Sequence, residues 1–359
     1  MYPLGNHCIM SSQFKFFSLA ALVFYSSVFL YCSQPSSLPN VNDPISLSGS
    51  TMGTYYKVTV AELPPSIHPD ELKAAIDRLL EKTNAQMSTY ISDSELSRFN
   101  QYRKTDWFPV SSETALVVEE ALNIHQLTEE AFDITVGPLV NLWGFGPSGG
   151  KGTILSQEKI NSTLKKVGSH HLQSRFTPPS LKKDIVDLYL DLSGIAKGFG
   201  VDHISAYLVS IGINDFLVDI GGEMKARGHK NDGMLWKIAI ERPVIDKQEI
   251  QKVITLNNKA IATSGDYRNY FDKDGQRYSH EINPKTGQPV QHRLASVTVL
   301  APSCMRADAL ATAFMVLGPQ KGYQLAERER LPVLFIIKGA DGFFEKATPE
   351  FNKNIHSKG

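Results

Sequence analysis

The sequence predicts an α/β fold, an α+β mixture in which helices pack on mixed and largely antiparallel sheets. Strand-like and helix-like segments do not alternate regularly, as they would in a parallel sheet. Several strand-like segments are close enough in sequence to form hairpins. The 359 residues, 42% hydrophobic and 21% charged, can bury a substantial core as one large domain or two lobes.

The first elements follow from composition and apolar spacing. Tyr55–Val60 has the composition of a strand, and two consecutive prolines end it soon afterwards. Apolar residues at helical spacing predict helices over Asp70–Gln86 and Glu113–Glu130. The polar segment between them, Met87–Asn100, is predicted to be a connection.

The middle of the chain begins with a predicted loop over Phe132–Gly152. Its glycines and aromatic residues indicate either backbone passing close to a flat or bulky group, or a surface loop with its own small core. Lys183–Leu192 alternates like a strand. Ile195–Ile211 is predicted as a helix that stops at Gly212, and Phe216–Ile220 as the strand after it.

The last third mixes strands with one helix. A strand is predicted at Trp236–Glu241 and a loop through residues 278–280. The remaining predicted elements are strands at Ala260–Thr263, Ser296–Leu300 and Val333–Ile337, and a helix at Arg306–Leu317. No period of 20 to 50 residues recurs, which argues against a solenoid or propeller.

The amino terminus is predicted to be an export signal. Phe16–Tyr31 is apolar and uncharged, Lys15 precedes it, and the next charged residue is Asp43. The apolar run is short for a membrane-spanning helix. We therefore assign residues 1–32 to a signal segment, 33–48 to a flexible tether, 49–350 to the main domain and 351–359 to a tail.

Cys32 closes the apolar run, where a bacterial lipoprotein carries the cysteine that becomes acylated. The bulky Tyr31 departs from the small residue preferred there, but a Ser/Pro-rich spacer follows. We expect an exported protein, lipid-anchored to the inner membrane and facing the periplasm; an unlipidated secreted protein and an uncleaved anchor are the alternatives. Cys8 would leave with the signal, so Cys304 has no disulfide partner and is predicted to pack in the core.

Charge and spacing point to local recognition of a metal and a phosphate. The 37 basic and 37 acidic residues balance, so no nucleic-acid surface is expected. Asp308 and Thr312 lie four apart, on one face of a helix, and can offer two oxygens to a hard cation. Asp191–Gly198 reads as a strand followed by a helix start, where free N–H groups and Lys197 can hold phosphate.

Each of these motifs also has a purely structural interpretation. Asp308 could simply favour the helix dipole, and Thr312 could pack in a core. Gly198-Phe199-Gly200 lacks the third glycine of a dinucleotide-binding fingerprint, which makes that interpretation weak.

Together these motifs resemble one family, the FAD:protein FMN transferases of the ApbE group, over residues 52 to about 349. The matching segments are Thr51–Thr54, Met87–Tyr90, Asp93–Asn100, Ala131–Thr135, Gly137-Pro138, Leu142–Phe145, Asp191–Gly198, Ile220–Glu223, Ala262–Tyr267, His280–Pro284, Thr286-Gly287, and Ala307-Asp308 with Thr312. The resemblance implies the ApbE fold for residues 49–350. It also implies a Mg²⁺-dependent enzyme that transfers FMN from FAD to a threonine hydroxyl of an acceptor protein and releases AMP.

The resemblance also implies site residues. Around FAD it places Met52, Tyr90, Ala131, Phe132, Asp133, Asp191, Lys197, His280 and Ile282. It places magnesium on Asp308, Thr312 and the Gly194 carbonyl. Many relatives carry a second Asp where this chain has Ala311, so weaker metal binding or an extra water is expected here.

Elementary chemistry agrees with these roles. A diphosphate repels nucleophiles, so catalysis calls for charge neutralisation and alignment, which a metal and Lys197 can supply. His280 is the preferred general base and Asp266 the second candidate, although His280 could equally be a binding or buried hydrogen-bonding residue. Tyr90, Phe132 and Met52 would contact flat rings, if they do not simply pack in the core.

The partners implied by the resemblance are FAD and acceptor flavoproteins, such as subunits of membrane redox pumps or other exported proteins. Two alternatives stay open. Water could attack the diphosphate, which would make the protein an FAD pyrophosphatase yielding FMN and AMP. A non-catalytic exported FAD-binding protein is disfavoured, because a simple binder would not need the Asp308 and Thr312 pair.

Overall fold

The computed structural model describes residues 44–147, 155–244, 249–266, 270–273 and 276–355. The predicted signal segment, Cys32 and the tether up to residue 43 lie outside these residues. Within them, no helix is both long enough and apolar enough to cross a bilayer.

An eight-stranded antiparallel sheet is the centre of the fold. Its strand order is β1-β2-β6-β7-β10-β13-β14-β15, and every neighbouring pair is antiparallel. The fifteen strands of the described residues are β1 (Ile45–Thr51), β2 (Thr54–Val60), β3 (Phe108–Pro109), β4 (Leu172–Phe176), β5 (Pro179–Lys183), β6 (Phe216–Ile220), β7 (Glu223–Arg227), β8 (Trp236–Glu241), β9 (Ile250–Leu256), β10 (Lys259–Gly265), β11 (Tyr270–Lys273), β12 (Gln276–Ser279), β13 (Leu294–Ala301), β14 (Val333–Lys338) and β15 (Phe343–Ala347). The predicted α/β class with largely antiparallel sheets is confirmed.

Helices and small sheets surround the large one. The helices are α1 (Pro69–Met87), α2 (Glu95–Gln101), α3 (Ser112–Leu127), α4 (Gly137–Leu142), α5 (Gln157–Leu164), α6 (Ala196–Ser210), α7 (Cys304–Arg328) and α8 (Pro349–Ile355). A three-stranded sheet of β3, β5 and β4 and the hairpins β8–β9 and β11–β12 complete the described architecture.

Both faces of the large sheet are covered, and strand β14 shows how. Val333, Phe335 and Ile337 pack in the core that α3 and α7 share with the sheet. Leu334 and Ile336 point to the opposite face, where the β8–β9 hairpin and α8 cover them. A strand with two buried faces reads as a continuous apolar run, which explains why it was visible in the sequence.

Domain and helix boundaries differ from the predicted ones at several places. β1 begins inside the segment predicted as a tether, and α8 extends through most of the predicted tail with Phe351 fully buried. Helix α3 ends at Leu127, before the predicted Glu130, because Glu129 and Glu130 have left-handed φ angles of 54° and 69°. Helix α7 contains a kink at Gly318, whose backbone is non-helical (φ 76°, ψ −179°), so its first part ends at Leu317 as predicted and a second helical part follows.

Two predicted connections contain helices. Helix α2 lies in the polar connection and is capped by Ser94, whose side chain accepts a hydrogen bond of 3.0 Å from the Ser97 N–H. Helix α4 lies inside the predicted loop 132–152 and carries a proline in its first turn.

The predicted strand at Lys183–Leu192 is wrong, because only Lys183 belongs to a strand. Residues 184–187 form an exposed turn, after which Leu188, Leu190 and Leu192 are buried. In this buried part an asparagine side chain takes the place of a neighbouring strand. Asn100 donates to the Leu190 carbonyl at 2.9 Å and accepts from the Leu190 N–H at 2.8 Å. The apolar alternation therefore predicted correctly that Leu188, Leu190 and Leu192 are buried, but it wrongly predicted that they form a strand.

Lys183 is buried at 1% exposure, and its ammonium donates to the Phe99 and Leu188 carbonyls at 3.2 Å each. Burial lowers the pKa of Lys183 from 10.5 to about 8, with a further lowering by Arg103. Between these two pH values the unfolded chain binds more protons than the folded one, so stability rises with pH there.

We expect the unfolding free energy of the native protein, measured relative to Lys183→Met, to increase by about 3 kcal/mol between pH 8 and 10.5. Denaturant unfolding at several pH values measures it. Lys182→Met, on the more exposed side of the same strand, is the control and should show a flat difference. A flat difference for Lys183→Met as well would contradict the buried titration.

Candidate functional site

A cavity of about 420 Å³ opens beside the start of α6, and several elements contribute to its wall. Of the sequence-predicted residues, it brings together Tyr90, Ala131, Phe132, Asp133, Asp191, Gly194, Lys197, His280, Ile282, Asp308 and Thr312. Residues more than 200 positions apart in sequence thus line one space. Their individual roles remain predictions.

The site depends on a close approach between α6 and α7 at Gly198. A Cβ at this position would collide with the carbonyl oxygen of Cys304 and lie 2.8 Å from the Cα of Met305. With no side chain in the way, the Gly198 N–H reaches Asp308 and donates to its Oδ2 at 3.0 Å. Gly198 therefore sets the distance from the α6 backbone to the Asp308 carboxylate, and Cys304 is buried at this contact as predicted.

We expect Gly198→Ala to lower stability by about 1–3 kcal/mol and to reduce activity, because backbone atoms must move to admit the methyl group. Gly200→Ala on the same helix is the matched control. Its Cβ would meet only the ends of flexible side chains, Ile220 at 3.0 Å and Met52 at 3.1 Å. Thermal unfolding of both variants tests this, and equal losses would contradict a specific role for the Gly198 contact.

Lys197 places its ammonium between two buried carboxylates. Its Nζ lies 3.6 Å from Glu223 Oε1 and 3.7 Å from Asp308 Oδ1. Burial alone would lower the pKa of Lys197, but Asp308 and Glu223 more than offset this and raise the pKa above its ordinary value. Lys197 is therefore a permanent positive charge in the wall.

The residues predicted to bind a metal, Gly194, Asp308 and Thr312, line the same cavity, and Gly194 approaches Thr312 closely. A Cβ built on Gly194 would be 3.3 Å from Thr312 Oγ1, and Ser264 Oγ lies 3.4 Å from the same hydroxyl. Among the described residues no group of three His, Cys, Asp or Glu side chains forms a metal site. One carboxylate, hydroxyls and a backbone carbonyl are hard oxygen donors, so the set fits Mg²⁺ completed by oxygens of a substrate or water.

Ala311 is fully buried in the apolar core beside Thr312. The structure thus supplies Asp308 as the carboxylate of this donor set, and no second carboxylate comes from position 311. The expected weaker metal binding remains a prediction.

The wall expected to contact flavin and adenine is apolar with two acidic positions. Phe132 and Ile282 are each 4% exposed, whereas Tyr90 is 69% exposed at the rim. The Asp133 carboxylate already accepts hydrogen bonds from Thr135 and Ser169 within the protein, so it holds its own loop in place.

Asp191 is engaged by its own turn in a similar way. Its Oδ1 accepts a hydrogen bond of 2.9 Å from the N–H of Ser193 and one of 2.5 Å from the Ser193 hydroxyl. Because both donors use the same oxygen, the turn shapes the approach to Gly194. Hydrogen bonding of Asp191 to a ribose or adenine group stays a prediction.

His280 lies at the cavity with a side chain that is 30% exposed, and its Nε2 is 3.4 Å from Oε1 of the neighbouring Glu281. Its ring meets the Phe145 ring edge-on at a centroid distance of 6.3 Å. Burial raises the pKa of Glu281, and His280 lowers it in part. The imidazole is accessible to a substrate and held by neighbours on two sides.

Two predicted site residues do not line the cavity. Met52 lies in the β1–β2 turn and packs on the core under α6. Asp266 is 7% exposed and forms an ion pair of 2.6 Å with Lys338, which occupies one of its oxygens. Asp266 as an alternative base stays a prediction, with one of its oxygens paired to Lys338.

Sequence reasoning gave no role to two carboxylates in the wall, Glu223 and Glu281. Both are buried, at 4% and 8% exposure. Glu223 ends a matched Gly-Gly-Glu segment and Glu281 follows His280, so their positions in motifs were the available signal. With them, five carboxylates face one ammonium among the lining residues: Asp133, Asp191, Glu223, Glu281 and Asp308 against Lys197.

Comparisons with known proteins agree with one another. Residues 52–335 match the ApbE family. The FAD:protein FMN transferase of Vibrio cholerae is 49% identical over 320 residues, covering 89% of this chain and 93% of the relative. That of Haemophilus influenzae is 43% identical over 320 residues, covering 88% and 92%. The solved structure of the flavin transferase ApbE from Vibrio cholerae superposes with a TM-score of 0.81 at 48% identity, covering 87% of this chain and 99% of that one.

Proposed function

This chain belongs to the ApbE family, and we propose that it transfers FMN from FAD to a threonine hydroxyl of an acceptor protein in a Mg²⁺-dependent reaction that releases AMP. Transfer of FMN from FAD to protein is the activity named for its relatives, so the chain is a transferase. The metal, the threonine and the leaving group are the finer parts of the proposal.

The observation that carries the proposal is the charge of the cavity. Asp133, Asp191 and Asp308 line this space with the Lys197 ammonium, beside a set of hard oxygen donors. Glu223 and Glu281 also line it, and burial raises the pKa of both carboxyl groups. A dianionic diphosphate would be repelled from such a wall unless a divalent cation entered with it. A flavin dinucleotide bound through a metal would place its rings against the apolar residues of the wall and its diphosphate, with the cation, near the acidic ones.

The proposed reaction balances as a single phosphoryl transfer. The threonine oxygen forms a bond to the phosphorus that carries the riboflavin half, and the bond from that phosphorus to the bridging oxygen breaks. The bridging oxygen leaves with AMP, and His280 accepts the hydroxyl proton. Mg²⁺ held by Asp308, Thr312 and Gly194 would act as a Lewis acid on the phosphate oxygens. Lys197 stabilises charge that develops on them.

We expect His280→Gln to lower the rate of FMN transfer roughly 100-fold while FAD binding changes little, because a glutamine cannot accept the proton. Transfer is followed as in-gel flavin fluorescence on the acceptor, and binding as the change of flavin emission. His229→Gln, an exposed histidine after β7, is the control. Full activity of His280→Gln would move the general base to another group.

Incubation of the protein with FAD, Mg²⁺ and an acceptor that carries a threonine target tests the proposed function. Equal amounts of AMP and covalently flavinylated acceptor are expected. Free FMN with no flavin on the acceptor would instead identify an FAD pyrophosphatase. Binding of FAD without any AMP, under every divalent metal tried, would identify a non-catalytic binder.

We also propose that the protein works at a membrane surface outside the cytoplasm, held by a lipid on Cys32. The apolar uncharged segment before this cysteine and the polar spacer after it support the proposal. Membrane redox-pump subunits or exported flavoproteins would be within reach as acceptors. Mass spectrometry of the mature amino terminus should find a diacylglyceryl group on Cys32, and an unmodified terminus would refute the anchor.

A further inference from the structure

The β6–β7 turn directs a carboxylate of unassigned function into the cavity. Gly221 and Gly222 have left-handed φ angles of 61° and 104°, and the Gly222 N–H donates to Asp219 Oδ1 at 2.8 Å. This fixed turn ends at Glu223, the first residue of β7, whose side chain is buried in the cavity wall.

The buried position of the Glu223 carboxyl group lowers the stability of the protein. Its Oε1 is 3.6 Å from Lys197 Nζ, while its Oε2 has no hydrogen-bond partner among the described residues although it is buried. Lys197 is already paired with Asp308 at 3.7 Å, so two carboxylates compete for one ammonium. A buried carboxylate with an unpartnered oxygen lowers stability, which indicates a functional reason for its presence.

The Lys197 ammonium lies almost equally far from Glu223 and Asp308, at 3.6 and 3.7 Å. Burial raises the pKa of Glu223 to about 8, while the nearby Lys197 ammonium lowers it in part and so favours the ionised form. An ionised Glu223 attracts the ammonium from the side opposite Asp308, which would otherwise hold it alone as a tight ion pair. Such a pair would draw the ammonium away from the diphosphate and would occupy the Asp308 oxygen that the metal needs. A second carboxylate on the other side of the ammonium prevents this collapse.

We propose that Glu223 is a positioning residue that holds the Lys197 ammonium away from Asp308 and keeps both groups available to the diphosphate and its metal. The inference rests on the proposed function for the purpose of this arrangement. The contact itself can be tested without substrate.

A double-mutant cycle of Glu223→Gln and Lys197→Met tests the proposal by activity and by thermal unfolding. Glu223→Gln alone should lower the rate of AMP release about 10- to 100-fold, because a displaced charge is poorly aligned. It should also raise the Mg²⁺ concentration that gives half-maximal rate. In the Lys197→Met background, Glu223→Gln should change neither quantity more than about twofold, since it acts through Lys197.

Thermal unfolding gives the substrate-free half of the cycle. Lys197→Met alone leaves two buried carboxylates uncompensated, so Glu223→Gln should raise the melting temperature more in that background than in the native one. Equal shifts in the two backgrounds would refute the contact. Glu345→Gln, on β15 and outside the cavity wall, removes a part-buried carboxylate that pairs with Lys252 at 2.5 Å, so it is the control and should keep native activity.

The outcomes separate the inference from the proposed function. Additive losses of AMP release in an active enzyme would overturn the positioning role alone. Absence of AMP release from the native protein would overturn the proposed function and this role with it. If Glu223→Gln does not fold, Glu223→Asp replaces it; that variant should lose activity at least about fivefold through the retracted charge, and native activity would overturn the proposal.

Discussion

Replacing Asp308 with asparagine is expected to reduce AMP release from FAD by at least about 1,000-fold while the protein remains folded. Asparagine keeps the shape of the side chain and an oxygen that can accept the 3.0 Å hydrogen bond from the Gly198 N–H. It removes the negative charge that a divalent cation requires. The rate of AMP release as a function of Mg²⁺ concentration, with thermal unfolding alongside, measures both effects.

Asp202→Asn is the matched control for Asp308→Asn. Asp202 also lies between α6 and α7, but it accepts hydrogen bonds from Ser303 at 2.7 Å and the Met305 N–H at 2.9 Å and does not line the cavity. Its replacement should lower the melting temperature and leave AMP release near the native rate. If Asp308→Asn instead retains activity within tenfold of the native protein, the metal assignment is wrong.

Replacing Lys197 with methionine is expected to lower the transfer rate roughly 100- to 1,000-fold, the loss typical when one group that stabilises developing charge is removed. The ammonium is the single Lys or Arg charge among the described residues that line the cavity. Because the pKa of Lys197 is raised by Asp308 and Glu223, the group stays protonated throughout the range in which the enzyme can be assayed. The loss should therefore be the same at pH 6 and pH 9.

Lys225→Met provides a comparison for Lys197→Met. Lys225, on β7, pairs with Asp202 at 2.6 Å and does not line the cavity. We expect it to retain transfer activity at every pH. A loss for Lys197→Met that disappeared at one end of the pH range would mean that the ammonium charge is not what the reaction uses.

The sequence predicted well those strands and helices whose formation depends on neighbouring residues. The strands Phe216–Ile220 and Trp236–Glu241 were predicted with the bounds they have, because apolar alternation and nearby glycines define each of them. Helix α2 was missed because its first turn is polar and its start depends on a serine cap. The segment after Lys183 was assigned to a strand because it alternates, but the side chain of the distant Asn100 makes the hydrogen bonds that a neighbouring strand would make.

Residue spacing likewise predicted only those features of the candidate site that depend on neighbouring residues. Asp308 and Thr312 are one helical turn apart, so their shared face was visible in the sequence. The burial of Glu223 and the ion pair of Asp266 with Lys338 arise where separate strands meet, and neither has a local signature. The resemblance placed Met52 near FAD; its side chain packs on the core under α6, and a contact with FAD stays a prediction.

The central claim is that a divalent cation joins Asp308, Thr312 and the Gly194 carbonyl to the diphosphate of FAD. A crystal soaked with FAD and Mn²⁺, measured at the manganese absorption edge, tests it most directly. We expect an anomalous peak within coordination distance of an Asp308 carboxylate oxygen, the Thr312 hydroxyl and a diphosphate oxygen. A diphosphate bound elsewhere, or one bound here with the peak absent from these three atoms, would contradict the account.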